Sequence, residues 1–194
     1  MRLSTLIPAL LLATACSGGT RAETGELPAS GRYDLGRAAT PAEIAAQNID
    51  IGPDGADLPP GSGTVAQGAM VFGSQCASCH GVRGEGIAPA YPTLVGREPR
   101  EGFPFGREPE AVKTIGNYWP YATTLFDYVR RAMPHLAPGS LTDNAVYAVT
   151  AWLLAQNEII SPDAVLDADA LRAVKMPARD RFVRDDRKGG REVR

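Results

Sequence analysis

The stretch Cys76-Ala77-Ser78-Cys79-His80 decides the fold of this 194-residue chain. A Cys-x-x-Cys-His motif places two thiols about one helical turn apart and an imidazole directly after them, which suits attachment of a haem through its two vinyl groups and ligation of its iron. The motif therefore predicts one covalently bound haem c. Cys76 and Cys79 would bind the porphyrin, and His80 would be an axial ligand of the iron.

Two other uses of a cysteine pair remain open from the sequence. A thioredoxin-like redox pair is typical of a βαβ unit, in which a strand precedes the motif. A structural zinc site needs four ligands, and the sequence offers two histidines and no second cysteine pair. Haem attachment explains the motif better than either, because a helical pattern precedes it and a Gly/Pro-rich loop follows it.

A helix is predicted directly before the motif. Thr64 suits an N-cap, and Gln67, three residues later, completes a capping box. A small and apolar face of this helix would pack against the rest of the fold. That face consists of Val65, Gly68, Ala69 and Phe72.

Two further helices are predicted downstream. Residues 81–116 are rich in Gly and Pro and lack any regular period. A loop of this length needs another group to pack against, and a haem would supply one. The later helices cover residues 123–132, with Thr123 as N-cap, and residues 143–157, with Thr142 as N-cap. We find no run of residues that alternates as a strand does.

Met133 is the candidate for the second axial ligand. It follows the second helix, and Pro134 favours an extended conformation at Met133. A thioether there can reach the iron face opposite His80, and Met/His ligation raises the reduction potential. Two alternatives stay open, namely Met133 as a core side chain and His135 as the ligand. A further alternative, an open-site haem enzyme or a gas sensor, requires that Met133 does not ligate.

Residues 116–121 carry three aromatic side chains and a proline in a loop. Exposing them would be costly, so we expect Tyr118 and Trp119 to wall the haem pocket, with the Trp119 indole as a donor to a haem propionate. Packing without a role at the haem is the alternative.

The N-terminus is typical of an export signal. Residues 1–15 combine Arg2, a short apolar run and the small-residue sequence Ala13-Thr14-Ala15, which together predict a signal peptide and a bacterial periplasmic location. Cleavage would make Cys16 the first residue and open to a lipid anchor. A free cysteine is the alternative, because a lipidation site favours a bulky apolar residue where Ala13 stands.

The composition predicts one core with two extensions. The chain is 44% hydrophobic and carries a formal charge of −2, so charge alone points to no nucleic-acid partner. Residues 16–62 are predicted to form an extended N-terminal arm, residues 63–157 the core domain, and residues 158–194 a C-terminal arm. We expect the last segment, with a short helix near residues 161–173, to be solvated or to lie on a partner subunit.

The chain resembles the class I cytochromes c over residues 63–157, through its helix, its Cys-x-x-Cys-His motif, its loop, its Met-Pro pair and its closing helix. This resemblance implies an all-α fold in which three main helices surround one covalent haem. It also implies electron transfer rather than catalysis by this chain.

A narrower resemblance is to the cytochrome subunit of bacterial sulfite or sulfur dehydrogenases, the SoxD-like family. Its core is residues 114–128, followed by the sequence Arg-Arg-Ala-Met-Pro at 130–134. Shorter matches lie at residues 140–142, 147–151, 157–160 and 175–177.

The narrower resemblance implies a molybdopterin-containing partner that oxidises sulfite or protein-bound sulfur, and a downstream acceptor such as another cytochrome c. Larger family members carry two haem domains, whereas this chain has one haem motif. A free-standing, membrane-tethered cytochrome that shuttles electrons between respiratory complexes is the alternative.

Overall fold

The structure is a computed structural model that describes residues 36–183. The predicted signal peptide and Cys16 lie outside the described residues. The chain divides into a unit of residues 1–41 and a unit of residues 42–194. In the first unit the described residues are exposed and end at Pro41, where a helix begins. Among the described helices, none has the length and apolar character that a bilayer-spanning segment requires.

Helices dominate the described residues, which confirms the all-α prediction. Two strands of three residues and two short 3-10 turns, at Pro104–Gly106 and Arg179–Arg181, accompany them. In chain order the elements are α1 (Pro41–Gln47), β1 (Ser62–Thr64), α2 (Val65–Gln75), α3 (Ala77–His80), α4 (Ala122–Ala132), α5 (Asp143–Gln156), β2 (Val165–Asp167) and α6 (Ala168–Ala173).

Two short strands are present although no run in the sequence alternates as a strand does. β1 and β2 pair in antiparallel orientation, with Ser62 opposite Asp167 and Thr64 opposite Val165. Strands of three residues are too short to show an alternating pattern in sequence. Their pairing joins the segment before α2 to the segment after α5.

The start of α2 follows the predicted capping box. The Gln67 amide donates to Thr64 Oγ1 at 3.1 Å, and the Thr64 amide donates to Gln67 Oε1 at 2.9 Å. Ala69 departs from the prediction, since it is exposed while Val65 and Phe72 are buried.

The two later helices agree less evenly with their predicted starts. α5 begins at Asp143, and its cap is as predicted, with the Ala145 amide donating to Thr142 Oγ1 at 3.3 Å. α4 begins one residue early, at Ala122, and Thr123 is not its cap. The Thr123 hydroxyl instead donates to the carbonyl oxygen of Pro53 at 3.1 Å.

α2 and α5 cross in close contact. The rings of Phe72 and Trp152 stack with their centroids 4.0 Å apart. At Gly68 an added Cβ would overlap the Ala148 carbonyl oxygen and lie 2.7 Å from Trp152 Cβ. The absence of a side chain at Gly68 therefore sets the distance between the two helices.

Both flanking segments contribute to the core. Ile51 before β1 and Leu171, Met176 and Ala178 after β2 are each at most 4% exposed. The expectation of a solvated C-terminal tail is therefore wrong for Leu171, Met176 and Ala178. Single apolar residues between polar ones carry no periodic signal that would reveal their burial.

Asp127 on α4 attaches the segment before β1. Its side chain is 11% exposed. Oδ1 accepts hydrogen bonds at 2.8 Å from the Ile51 amide and at 2.8 Å from Arg131 Nε. Burial of the carboxyl raises the pKa of Asp127, but hydrogen bonds from Arg131 and Ile51 outweigh burial and leave this pKa below its usual value.

Asp127→Asn is expected to lower the free energy of unfolding by about 1.5–3 kcal/mol at pH 7, because it removes charge-assisted hydrogen bonds. Guanidinium unfolding of the holoprotein measures this loss. A group whose folded pKa is depressed stabilises above its unfolded pKa, about 3.9 for Asp, and loses that contribution as pH falls through the folded pKa. The difference between wild type and variant should therefore shrink below about pH 4.

Asp169→Asn is the matched control. Asp169 is also paired with an arginine three residues away, Arg172, but its side chain is 95% exposed. An exposed pair contributes roughly 0–1 kcal/mol. Equal losses in the two variants would contradict the role given to Asp127.

Candidate haem site

The three residues of the haem motif lie at the end of α2. Cys76 ends α2, since its amide donates to Phe72 O at 2.9 Å, and it also precedes α3. α3 is a single turn that carries Cys79 and His80, and the His80 amide donates to Cys76 O at 3.0 Å. Both thiols are free and half-buried. The motif is thus held on a short helical turn that follows α2 directly.

The Cys76 thiol differs from a reactive thiolate. Burial, followed by the neighbouring Cys79, raises the pKa of Cys76 to about 11. Redox-active cysteines have lowered pKa values, since the thiolate is the reactive form. The Cys76 thiol therefore stays neutral at pH 7, which suits a group that forms a thioether with a vinyl carbon.

His80 is oriented as an iron ligand requires. Its Nδ1 lies 3.2 Å from the carbonyl oxygen of Pro92. Donation from Nδ1 to a backbone carbonyl fixes the ring and leaves Nε2 with its lone pair free, which is the usual arrangement of a metal-bound histidine. Pro92 lies in the Gly/Pro-rich loop, so this loop positions the imidazole.

Tyr91 is a residue of the site that the sequence did not reveal. Its ring centroid lies 6.4 Å from that of His80. A hydrogen bond with Cys79 raises the pKa of the Tyr91 hydroxyl, with the charge of Cys79 and burial acting in the same direction. Tyr91 lies in the Gly/Pro-rich loop and is 42% exposed, and Ile87 in the same loop is 46% exposed. A haem beside Cys79 and His80 would cover apolar surface of this kind.

Met133 has the backbone conformation predicted from Pro134. It ends α4 with φ −125° and ψ 150°, which is extended. Its side chain is half-buried and packs against the core, whereas His135 is exposed. Arg130 Nε donates to Asp143 Oδ1 at 2.9 Å and so ties this end of α4 to the start of α5. Ligation of the iron by Met133 stays a prediction.

Trp119 and Tyr118 each have partners within the protein. The Trp119 indole N–H donates to Thr124 Oγ1 at 3.0 Å, so a haem propionate would have to share this donor. The Tyr118 ring stacks on Phe103 at 5.7 Å and meets Phe105 edge-on at 5.1 Å. Packing, the alternative for this loop, is therefore observed, and a role of either residue at the haem stays a prediction.

The described residues favour haem over the two other uses of the cysteine pair. Within residues 36–183, no group of three or more His, Cys, Asp or Glu side chains is gathered as a metal site. The motif follows helix α2 rather than a strand. Two thiols, of which that of Cys76 stays neutral, and an imidazole with one oriented nitrogen fit a covalent haem.

Comparisons with known proteins agree with this geometry. Residues 63–153 match the family model of cytochrome C oxidase, cbb3-type, subunit III. Among solved structures, the chain is similar to one in the crystal structure of the sulfane dehydrogenase SoxCD from Paracoccus pantotrophus. The identity is 41% and the TM-score 0.67, over 80% of this chain and 73% of that chain. No sequence among the curated proteins matches significantly.

Proposed function

Because this chain belongs to the class I c-type cytochromes of the SoxD-like family, we propose that it is the electron-accepting subunit of a periplasmic molybdenum dehydrogenase. The family implies a covalently bound haem c and electron transfer. The 41% identity to a chain of a sulfane dehydrogenase is the observation that carries the finer proposal. The partner would oxidise sulfite or protein-bound sulfur.

Four residues would hold the cofactor. Cys76 and Cys79 would form the thioether bonds, and His80 and Met133 would ligate the iron. The oriented Nδ1 of His80 and the extended conformation of Met133 support these roles. A haem held by these residues would supply one-electron redox chemistry at its iron.

Electron balance constrains how the subunit would work. Sulfur-compound oxidation releases electrons in pairs, and one haem motif in the chain implies storage of one electron. The cytochrome would therefore pass each electron to a downstream acceptor, such as another cytochrome c, before it accepts the next. Catalysis would reside in the molybdopterin subunit.

Location in the periplasm belongs to the same proposal. Residues 1–15 would direct export, and Cys16 would be the lipid-bearing residue if the mature protein is anchored. In the predicted division, the haem domain of residues 63–157 lies in the sequence between an arm of residues 16–62 and an arm of residues 158–194. Ile51 of the first arm and Leu171 of the second pack in the core.

Reduction of the haem by substrate is the test. The holoprotein is mixed with its molybdenum subunit and sulfite, or with protein-bound sulfur as the substrate, and the ferrous absorption bands are followed in time. We expect reduction only when both the molybdenum subunit and a substrate are present. No reduction with either substrate would overturn the proposal.

Size-exclusion chromatography separates this function from that of a free-standing shuttle. A subunit is expected to elute with the molybdenum protein as a stable hetero-oligomer. Elution as two separate proteins, together with rapid turnover by a terminal oxidase, would favour the shuttle. Rapid binding of carbon monoxide to the reduced native protein would instead favour an open-site haem enzyme or a gas sensor.

A further inference from the structure

A cleft at the C-terminal end of α5 is lined by arginines. Its volume is about 310 Å³, including space open to solvent. Arg97, Arg100 and Arg181 contribute the charged side chains of its walls, and no carboxylate from the described part of the chain lines it. Its remaining lining comes from Pro99, Phe103, Gly116, Asn117, Pro177 and Ala178.

Arg97 has a buried nitrogen without a partner. Its Nη1 donates to the carbonyl oxygens of Asn157 at 3.2 Å and Glu158 at 3.1 Å, just beyond the end of α5. Its Nε is buried and makes no hydrogen bond with any of residues 36–183. An unsatisfied buried donor costs about 1–3 kcal/mol, more when it belongs to a charged group. The Arg97 side chain is held at the wall of the cleft by its hydrogen bonds to these two carbonyl oxygens.

The two other arginines add charge that the surrounding carboxylates do not fully balance. Arg100 is paired with Glu98 at 3.1 Å and Glu158 at 2.8 Å, and both carboxylates are more than half exposed. Arg181 is exposed and makes no ion pair with the described residues. Three guanidinium groups thus face two exposed carboxylates.

We propose that this cleft binds a small oxyanion of the sulfate or phosphate class. Guanidinium groups present planar pairs of donors that match two oxygens of such an anion. The Asn117 amide is already used, with Nδ2 donating to Glu98 O and Val112 O, so the arginines supply the recognition.

Calorimetric titration of the full-length holoprotein tests the proposal. Sodium sulfate, sodium phosphate and sodium chloride are added in separate experiments at constant ionic strength. We expect saturable binding of sulfate or phosphate and none of chloride, and the tighter of the two oxyanions identifies the ligand. Arg181→Gln should weaken this binding about tenfold, which corresponds to one charge-assisted hydrogen bond.

Arg107→Gln is the control, because Arg107 is exposed and does not line the cleft. It changes the net charge by the same amount and should leave the affinity unchanged. An equal loss in both variants would show general screening and overturn the proposal. A holoprotein that binds neither oxyanion, because water, a haem propionate or the chain's own carboxylates fill the cleft, would also overturn it.

Discussion

Met133→Ala is expected to leave the haem attached, to open one axial position and to lower the reduction potential. The decrease should be on the order of 0.1 V or more, since axial ligation sets haem potentials over a range of about 0.8 V. A thioether ligand opposite a histidine raises the potential. Met133, extended and half-buried at the end of α4, is the residue we predict to supply it.

Three measurements would detect the loss of this ligand, and two further variants serve as controls. The iron–sulfur charge-transfer band of the oxidised protein should disappear, carbon monoxide should bind rapidly to the reduced protein, and redox titration should show the lower potential. Met70→Ala should alter none of these, because Met70 is 69% exposed. Met176→Ala should cost about 2–5 kcal/mol of stability, as Met176 is a core residue, and leave the charge-transfer band intact.

An unchanged spectrum in Met133→Ala would show that another residue holds the iron. His135→Ala would then be the variant to measure, since His135 is the other ligand that the sequence offers. Loss of the charge-transfer band in Met70→Ala or Met176→Ala would equally contradict ligation by Met133.

Gly68→Ala is expected to be more damaging to folding than a single methyl group suggests. The added Cβ would overlap the Ala148 carbonyl group and lie 2.7 Å from Trp152 Cβ. Backbone atoms cannot rotate away, so α2 and α5 would have to separate and break the Phe72–Trp152 stack. We expect a loss of more than about 4 kcal/mol, the range reached by severe core overpacking, and a low yield of holoprotein.

Gly73→Ala is the matched control on the same helix. Nothing lies within 4 Å of a Cβ added at Gly73. Replacing an exposed helical glycine by alanine should stabilise the protein by up to about 1 kcal/mol. Guanidinium unfolding followed by far-UV circular dichroism compares the two variants. Equal stability of the two would contradict the close crossing of α2 and α5.

Local signals in the sequence predicted the helices well. The capping box at Thr64 and the cap at Thr142 lie within three residues of the amides that they bind, so pattern alone located α2 and α5. The start of α4 was misplaced because the Thr123 hydroxyl binds Pro53, a residue distant in sequence. Long-range contacts of this kind leave no trace in a local pattern.

The candidate site likewise combines residues that the sequence indicates with residues that it does not. Cys76, Cys79 and His80 lie within five consecutive residues, so their spacing alone indicated the chemistry. The carbonyl of Pro92 that orients His80, and the ring of Tyr91 beside it, come from a loop without any period. Their positions depend on how that loop folds back on the motif, and no local pattern in the sequence indicates this conformation.

The β1–β2 pair has a mechanical consequence. The chain enters β1 at Ser62 and leaves β2 at Asp167, and these two residues are paired with each other. Tension applied through the two termini would therefore open the pair from this end, one hydrogen bond after another, instead of shearing all bonds together. If one terminus is tethered and the other is pulled, Ile51 and Leu171 would peel away first. The β1–β2 pair would then separate at low force while α2, α4 and α5 remain packed together.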